Sequence, residues 1–444
     1  MRARRGDLAL LTAAVLLGCA CAARQPSSRT HASSSVSGMA DQMHSPSAAV
    51  VSEARRADQL SDATEVLPGI DVLARRAPRD MVGKRCGLIT NLACVGRDGK
   101  TTLEKVATCG TFRLQAVFAP EHGLGGIAAG EVLDSLFVGG TWPPVHSLHG
   151  ERTRPTKRQL ADLDLLLFDL PDVGVRCYTY ISTMFRCMEV AADVGLPFVV
   201  LDRPNPLGGV VVEGPVLEPP YRSFVGIQPI AFRHGMTVGE LARLFNGEFL
   251  HRRVKLRVVP VVGWRREMLL TDTRLPWRRP SPGLKSPMAV LTYPAICLFE
   301  GTNVSVGRGT DASYQVIGAP WMDGARLCRK LRGCRLAGID FAPVEFRPSS
   351  SIYSGQRCSG LRLRVVDGRS YRATATGVAL LWALRTLWPS QFAWTSDHFV
   401  DLLAGTGRLR TALDAGRTPS QIEALWAEET RAFKSRRQPY LLYR

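Results

Sequence analysis

No CxxC pair, HExxH run or zinc-finger spacing occurs in the 444 residues, so no pattern marks a structural or catalytic metal. His122, His146 and His149 are histidines without such a pattern behind them, and neither metal nor cofactor is expected. A Walker A sequence is missing, which sets aside P-loop nucleotide chemistry, and Gly123-Leu124-Gly125-Gly126 lacks the GxGxxG spacing of a dinucleotide site. There is no GxSxG nucleophile elbow of the α/β-hydrolase kind. Nucleic-acid signatures are absent too: no RNP motif and no long Lys/Arg block. Beyond the N-terminus no apolar run is long enough to span a bilayer, and no internal repeat is evident.

What is present is an ordinary globular balance, 45% apolar and 22% charged, in a chain long enough for two or three domains. The net charge of +18 comes from 57 Lys and Arg against 39 Asp and Glu. It is consistent with a generally basic surface, or with anionic partners such as acidic sugars, phosphate polymers or anionic lipid. Arg2, Arg4 and Arg5 precede an apolar run from Leu8 to Leu17, the layout of a signal peptide. Leu16-Leu17-Gly18-Cys19 then resembles a relaxed bacterial lipobox. Residues 1–18 are therefore expected to be removed and Cys19 lipidated, with cleavage without lipidation as the alternative. Two or three acyl chains would anchor the protein stably on the membrane, exported and facing the periplasm or cell surface. Residues 19–65, rich in Ser, Ala, Arg and His without hydrophobic periodicity, read as a tether. The remaining cysteines sit largely in apolar stretches, and their spacing assigns no pairing.

From Val66 the pattern changes to short apolar runs over Arg85–Asn91, Leu114–Ala119, Asp164–Asp169 and Phe198–Leu201, with a helix over Ser182–Val194. Strands alternating with helices predict an α/β fold, a mostly parallel sheet covered on both faces. Thr237-Val-Gly-Glu240 is a capping box opening a helix to Leu250, and Leu256–Val262 reads as a strand. Four prolines between Pro276 and Pro287 predict a linker or wrapping loop. A domain over 66–285 and a smaller α+β domain over 286–444 follow. The latter has strands over Leu336–Phe346 and Gly360–Val366, an amphipathic helix over Thr374–Leu387 and a final helix capped at Thr418.

Each of the four strands of the first domain ends in polar residues. Ligands of open α/β sheets bind in the crevice outside those ends, although Gly, Pro, Asn and Asp are also ordinary turn residues. Pro120-Glu121-His122-Gly123 is the sharpest candidate: a half-buried glutamate at a strand end can hold its proton as a general acid must, or merely cap the next helix. Glu300-Gly-Thr-Asn303-Val-Ser305, continuing to Arg308, offers hydrogen bonds suited to sugar hydroxyl and acetamido groups, or is a glycine-rich turn. Asp169 and Asp172 could supply a second carboxylate, hold a hydroxyl or orient Arg176. Tyr178 and Tyr180 could stack on a sugar ring, or be buried. Paired carboxylates are what glycoside hydrolysis requires.

These motifs, in order, resemble the exo-β-N-acetylmuramidase family NamZ over about 85% of the chain, from Leu67 to the C-terminus. The resemblance is carried by Gly87-Leu-Ile-Thr-Asn91, Ala119-Pro-Glu-His-Gly-Leu124, Asp169-Leu-Pro-Asp-Val-Gly174, Val200-Leu-Asp-Arg-Pro-Asn-Pro206, Arg233-His-Gly-Met-Thr237, Leu298-Phe-Glu-Gly-Thr-Asn-Val-Ser305 and Ile317-Gly-Ala-Pro-Trp321. It implies a Rossmann-like N-terminal domain, a smaller C-terminal domain and a cleft between them. It also implies release of N-acetylmuramic acid from non-reducing ends of peptidoglycan-derived glycan, with Glu121 as the favoured catalytic residue and Glu300, Asp169 or Asp172 beside it. Asn91, His122, Arg176, Tyr178, Arg203, Asn205, His234, Asn303, Ser305 and Arg308 are the substrate-binding candidates. Arg176, Arg203 or Arg308 would suit the lactyl carboxylate of muramic acid. Four stretches depart from the family pattern: Leu92-Ala93-Cys94 stands for a usual QTG, Gly125 for a common Arg, Gly283 for the Asn of PSPNMP, and Ser313-Tyr314-Gln315 for PFE. The alternatives are a catalytically impaired, anchored peptidoglycan-binding protein, another α/β enzyme, or a transport-linked solute binder.

Overall fold

The structure is a computed structural model, which describes residues 65–125 and 142–444. The expected signal segment, Cys19 and most of the expected tether lie outside the described residues. Among the described residues no helix is long and apolar enough to cross a membrane.

Six strands, β1 (Arg85–Ile89), β2 (Arg113–Ala119), β3 (Val145–Ser147), β4 (Leu165–Phe168), β5 (Phe198–Leu201) and β8 (Leu256–Val259), form one sheet in the order β3-β2-β1-β4-β5-β8. All five pairings are parallel, and β6 (Glu213–Val216) and β7 (Ala231–Arg233) form a separate antiparallel pair. Alternate side chains go to opposite faces, as the pleat dictates. Leu88, Val117, Leu167 and Val199 pack with Ile70, Leu73, Leu103 and Val106. Those four come from the helices Gly69–Arg75 and Thr102–Thr108. Ile89, Phe118, Phe168 and Val200 pack on the other side with Phe185 and Phe245, from the helices Tyr180–Val194 and Val238–Glu248. Apolar residues on both faces explain why these strands read as continuous runs rather than as alternating ones.

Local chemistry sets the ends of the elements. Thr237 caps its helix through a reciprocal box with Glu240, as its sequence predicts. Gly195, at φ 71, ends the Tyr180–Val194 helix in the left-handed conformation that glycine adopts without strain. β8 stops at Val259, short of the expected Val262, because Pro260 has no N–H for the ladder.

The C-terminal part carries β9 (Val316–Ala319), β10 (Ile339–Phe346) and β11 (Cys358–Val365) as an antiparallel sheet in the order β10-β11-β9. Helices Pro287–Ile296, Gly324–Arg332 and Ala373–Leu387 belong to the same part, and its apolar core is continuous with one face of the parallel sheet. The helix expected after Thr418 is two helices, Pro419–Ala424 and Ala427–Arg436, broken at Leu425 and Trp426.

Candidate active site

Strand order reverses between β1 and β4, and a crevice forms beyond their carboxyl ends. A cavity of about 530 Å³ opens there, lined among others by Asn91, Leu92, His122, Gly125, Tyr180 and Arg279. It draws on the loops after β1 and β2, the start of the Tyr180–Val194 helix and the proline-rich loop before residue 285.

Glu121 follows directly from β2 through Pro120 and is half-buried beside this cavity. Gly123 N–H closes a turn on the Pro120 carbonyl at 2.9 Å. His122 occupies the turn position with φ 71, a conformation that glycine normally fills. Holding a histidine there costs on the order of 1 kcal/mol, a strain typical of functional sites. It leaves the ring exposed on the cavity wall.

Thr179 precedes the Tyr180–Val194 helix, yet its side chain makes no capping bond. Its hydroxyl donates instead to Glu121 Oε2 at 2.7 Å. Tyr180 Oη donates to the Pro280 carbonyl at 2.8 Å and accepts from Asn91 Nδ2 at 2.9 Å. Thus Asn91, Glu121 and the proline-rich loop are fixed around one helix start.

Glu300 and Arg308 occupy the C-terminal side. Arg308 Nε donates to Glu300 Oε1 at 2.7 Å, and the guanidinium also donates to Tyr314 Oη. Desolvation by the surrounding cavity wall pushes the His122 imidazole below its ordinary range, Glu121 opposes the shift, and the charges of His149 and Arg308 add to it. A side chain at Gly283 would begin 2.8 Å from the Tyr314 ring and 3.5 Å from Arg308, so the proline-rich loop lies against this pair. Beneath runs a row of edge-on tyrosines: Tyr180–Tyr178 at 4.9 Å, Tyr178–Tyr293 at 6.1 Å and Tyr293–Tyr314 at 4.9 Å. All four rings are buried, and burial pushes their phenols upward.

Several sequence candidates are placed away from any ligand. Asp169 is fully buried and paired with Arg203, whose Nη2 donates at 2.8 Å, so it is no partner for a sugar. Arg203 continues to the Val95 carbonyl at 2.9 Å, and its charge is reinforced by Asp169 against the cost of burial. Arg176 has no exposure and donates to the carbonyls of Pro215, Ile230, Leu403 and Ala404. Burial pushes it down to about 10, and it clamps the two parts of the chain instead of meeting a carboxylate.

Asp172 is nearly buried and accepts from Gly174 N–H at 2.7 Å. His234, fully buried, accepts from Met236 N–H at Nδ1, which leaves Nε2 carrying the proton 3.1 Å from Asp172. Asn205 is buried in a turn between Leu207 N–H and the Met236 carbonyl. Asn303 binds the Gln391 carbonyl and Ala393 N–H, and buried Ser305 accepts from Gly307 N–H. Tyr178 lies under the cavity and cannot stack on a sugar face. Asn91, Glu121, His122, Glu300 and Arg308 are the candidates that the fold gathers. Thr179, Arg278, Arg279, Tyr293 and Tyr314 were missed. Only the proline-rich setting of Arg278 and Arg279 offered a signal in the sequence.

A parallel α/β domain with its cavity at the strand-order reversal, an adjoining antiparallel-sheet domain and a carboxylate beside the cavity define a two-domain α/β protein with a candidate acid–base site. Models of the exo-β-N-acetylmuramidase NamZ family match residues 86–288 (N-terminal) and 291–443 (C-terminal), and the chain belongs to that family. It is 41% identical over 387 residues to the peptidoglycan β-N-acetylmuramidase NamZ of Bacillus subtilis (strain 168), covering 87% of this chain and 93% of that one. Two solved structures of DUF1343 family proteins from Bacteroides fragilis NCTC 9343 share the fold. One has a TM-score of 0.80 and 31% identity over 86% of this chain and 100% of that one. The other has a TM-score of 0.69 and 30% identity over 86% and 99%.

Proposed function

We propose that this chain is an exo-acting glycoside hydrolase that releases terminal N-acetylmuramic acid from the non-reducing ends of peptidoglycan glycan fragments, with Glu121 as general acid. The observation that carries this reading is Glu121 itself: a carboxyl at a strand end, half-buried beside an open cavity and oriented by the Thr179 hydroxyl. A general acid in that place protonates the glycosidic oxygen as the bond to the sugar breaks. Positive charge then develops on the ring, and a second carboxylate stabilises it or directs water. Glu300 is the better partner for that work, because it is half-buried, whereas Asp169 is sealed by Arg203 and Asp172 is buried against His234.

The test is turnover of a chromogenic β-N-acetylmuramide by the purified protein. Glu121→Gln is expected to lower kcat by about 10²–10⁴-fold. A protein with no turnover, in which E121Q binds glycan no differently, would overturn the assignment. The second reading, an impaired wall-binding protein, is favoured by Leu92, Gly283 and Gln315. Glycan binding without product release would establish it. The same proposal places the enzyme outside the cytoplasm on a lipid anchor at Cys19, supported by the basic n-region, the apolar run and the lipobox-like sequence. An unmodified Cys19 in mass spectra of the mature protein would end that part.

A further inference from the structure

Five arginines stand near the crevice, and four are committed elsewhere. Arg176 and Arg203 are buried on carbonyls and on Asp169. Arg308 is neutralised by Glu300, and Arg278 donates to the carbonyls of Leu92 and Gly99 at 3.3 and 3.1 Å. Arg279 differs: it lines the cavity, is exposed, and among the described residues makes neither a side-chain hydrogen bond nor an ion pair. Its backbone is nonetheless well held. Arg278 pins one side of it, and on the other Pro280 is buried with its carbonyl bonded to Tyr180 Oη. Among the described residues no carboxylate lines this cavity to neutralise the guanidinium.

We infer that Arg279 is the specificity-determining residue that binds the ligand's carboxylate, the lactyl acid that distinguishes N-acetylmuramic acid from N-acetylglucosamine. This rests on the muramidase reading for the identity of the sugar, but it concerns recognition and not bond cleavage. A planar guanidinium gives two parallel N–H donors to both carboxylate oxygens, and the anchored backbone leaves only the side chain, not the loop, to order on binding. The carboxylate-free sugar leaves that fork solvated and gains nothing from it.

Equilibrium binding of free N-acetylmuramic acid and of N-acetylglucosamine is measured by calorimetry on the unaltered protein, R279A and R279K, alongside turnover of the chromogenic muramide. The unaltered protein is expected to prefer the muramic sugar. In R279A that preference ratio should fall about 10- to 100-fold, the range of a charge-assisted hydrogen bond. In turnover the loss should fall on KM more than on kcat. R279K, which keeps the charge without the fork, should lie between. An undiminished preference in R279A overturns the inference. Arg279-dependent preference without turnover leaves it standing while refuting the hydrolase reading, no preference for the muramic sugar with turnover intact refutes the inference alone, and neither binding nor turnover by the unaltered protein refutes both.

Discussion

Thr179→Val separates the site from the fold. The substitution is nearly isosteric and removes one group, the hydroxyl that donates 2.7 Å to Glu121 Oε2. A hydrogen bond to an ionisable partner contributes about 1.5–3 kcal/mol. Glu121 is only half-buried, so solvent replaces part of that, and about 1–2 kcal/mol is the better figure, or about 5- to 30-fold in kcat/KM on a chromogenic muramide. Stability should hardly change, because Thr179 makes no capping bond to its helix. Thr237→Val is the control. Its hydroxyl accepts from Glu240 N–H at 3.2 Å and donates to buried Asp202 at 2.7 Å, so about 2 kcal/mol of stability should be lost in urea denaturation. If T179V keeps kcat/KM within about twofold of the unaltered enzyme, the hydroxyl does not position Glu121. If it instead loses as much stability as T237V, Thr179 is a structural residue.

Arg176→Met leaves four buried carbonyls without their donor and should cost at least about 3 kcal/mol by urea denaturation; a loss under about 1 kcal/mol would contradict the clamp. Asp202 is pushed up to about 6 by burial, against donation from Tyr443, Gly239 and Thr237. A carboxyl raised in the folded state binds its proton more tightly there than when unfolded, so its contribution falls as pH rises from about 4 to 6, by about 3 kcal/mol. That part of the slope in denaturation free energy should vanish in Asp202→Asn, and an unchanged slope would refute the assignment. A Cβ at Gly125 would meet Leu92 Cδ1 at 2.8 Å, so Gly125→Ala should destabilise the protein and Leu92→Ala should relieve it. A coupling below about 0.5 kcal/mol in the double-mutant cycle would show the contact to be soft.

The fold was legible because its core strands are apolar on both faces and its helix starts carry capping chemistry, as at Thr237. Glu121 stood out in the sequence for its setting, between Pro120 and a His-Gly turn just past an apolar strand. Asp169, Arg176, Arg203, Asn205 and Ser305 show where the same reasoning fails. Polar residues at strand ends also satisfy buried backbone groups and one another, and sequence does not tell a side chain pointing into the crevice from one pointing beneath it. Arg203 and Asp169 are separated by 34 positions yet form one ion pair, and Arg176 reaches carbonyls 227 and 228 positions away. Thr179 was hidden for the opposite reason. At a helix start its expected use is as a cap, and only the coordinates show that hydroxyl turned toward Glu121.

The departures at Leu92, Gly125 and Gly283 bear on whether such a site still works. Leu92 lies against Gly125, and Gly283 against Tyr314, so each glycine accommodates its neighbour's bulk instead of leaving a void. What remains is Glu121 on the parallel-sheet side and the Glu300–Arg308 pair on the other. The buried tyrosine row and the Arg176 clamp hold these groups in register before any sugar arrives. A scaffold that serves binding alone has little need of that rigidity, whereas catalysis gains most from groups fixed in advance where charge will develop. The investment of buried tyrosines and a buried arginine around two half-buried glutamates therefore favours an enzyme over an inert binder.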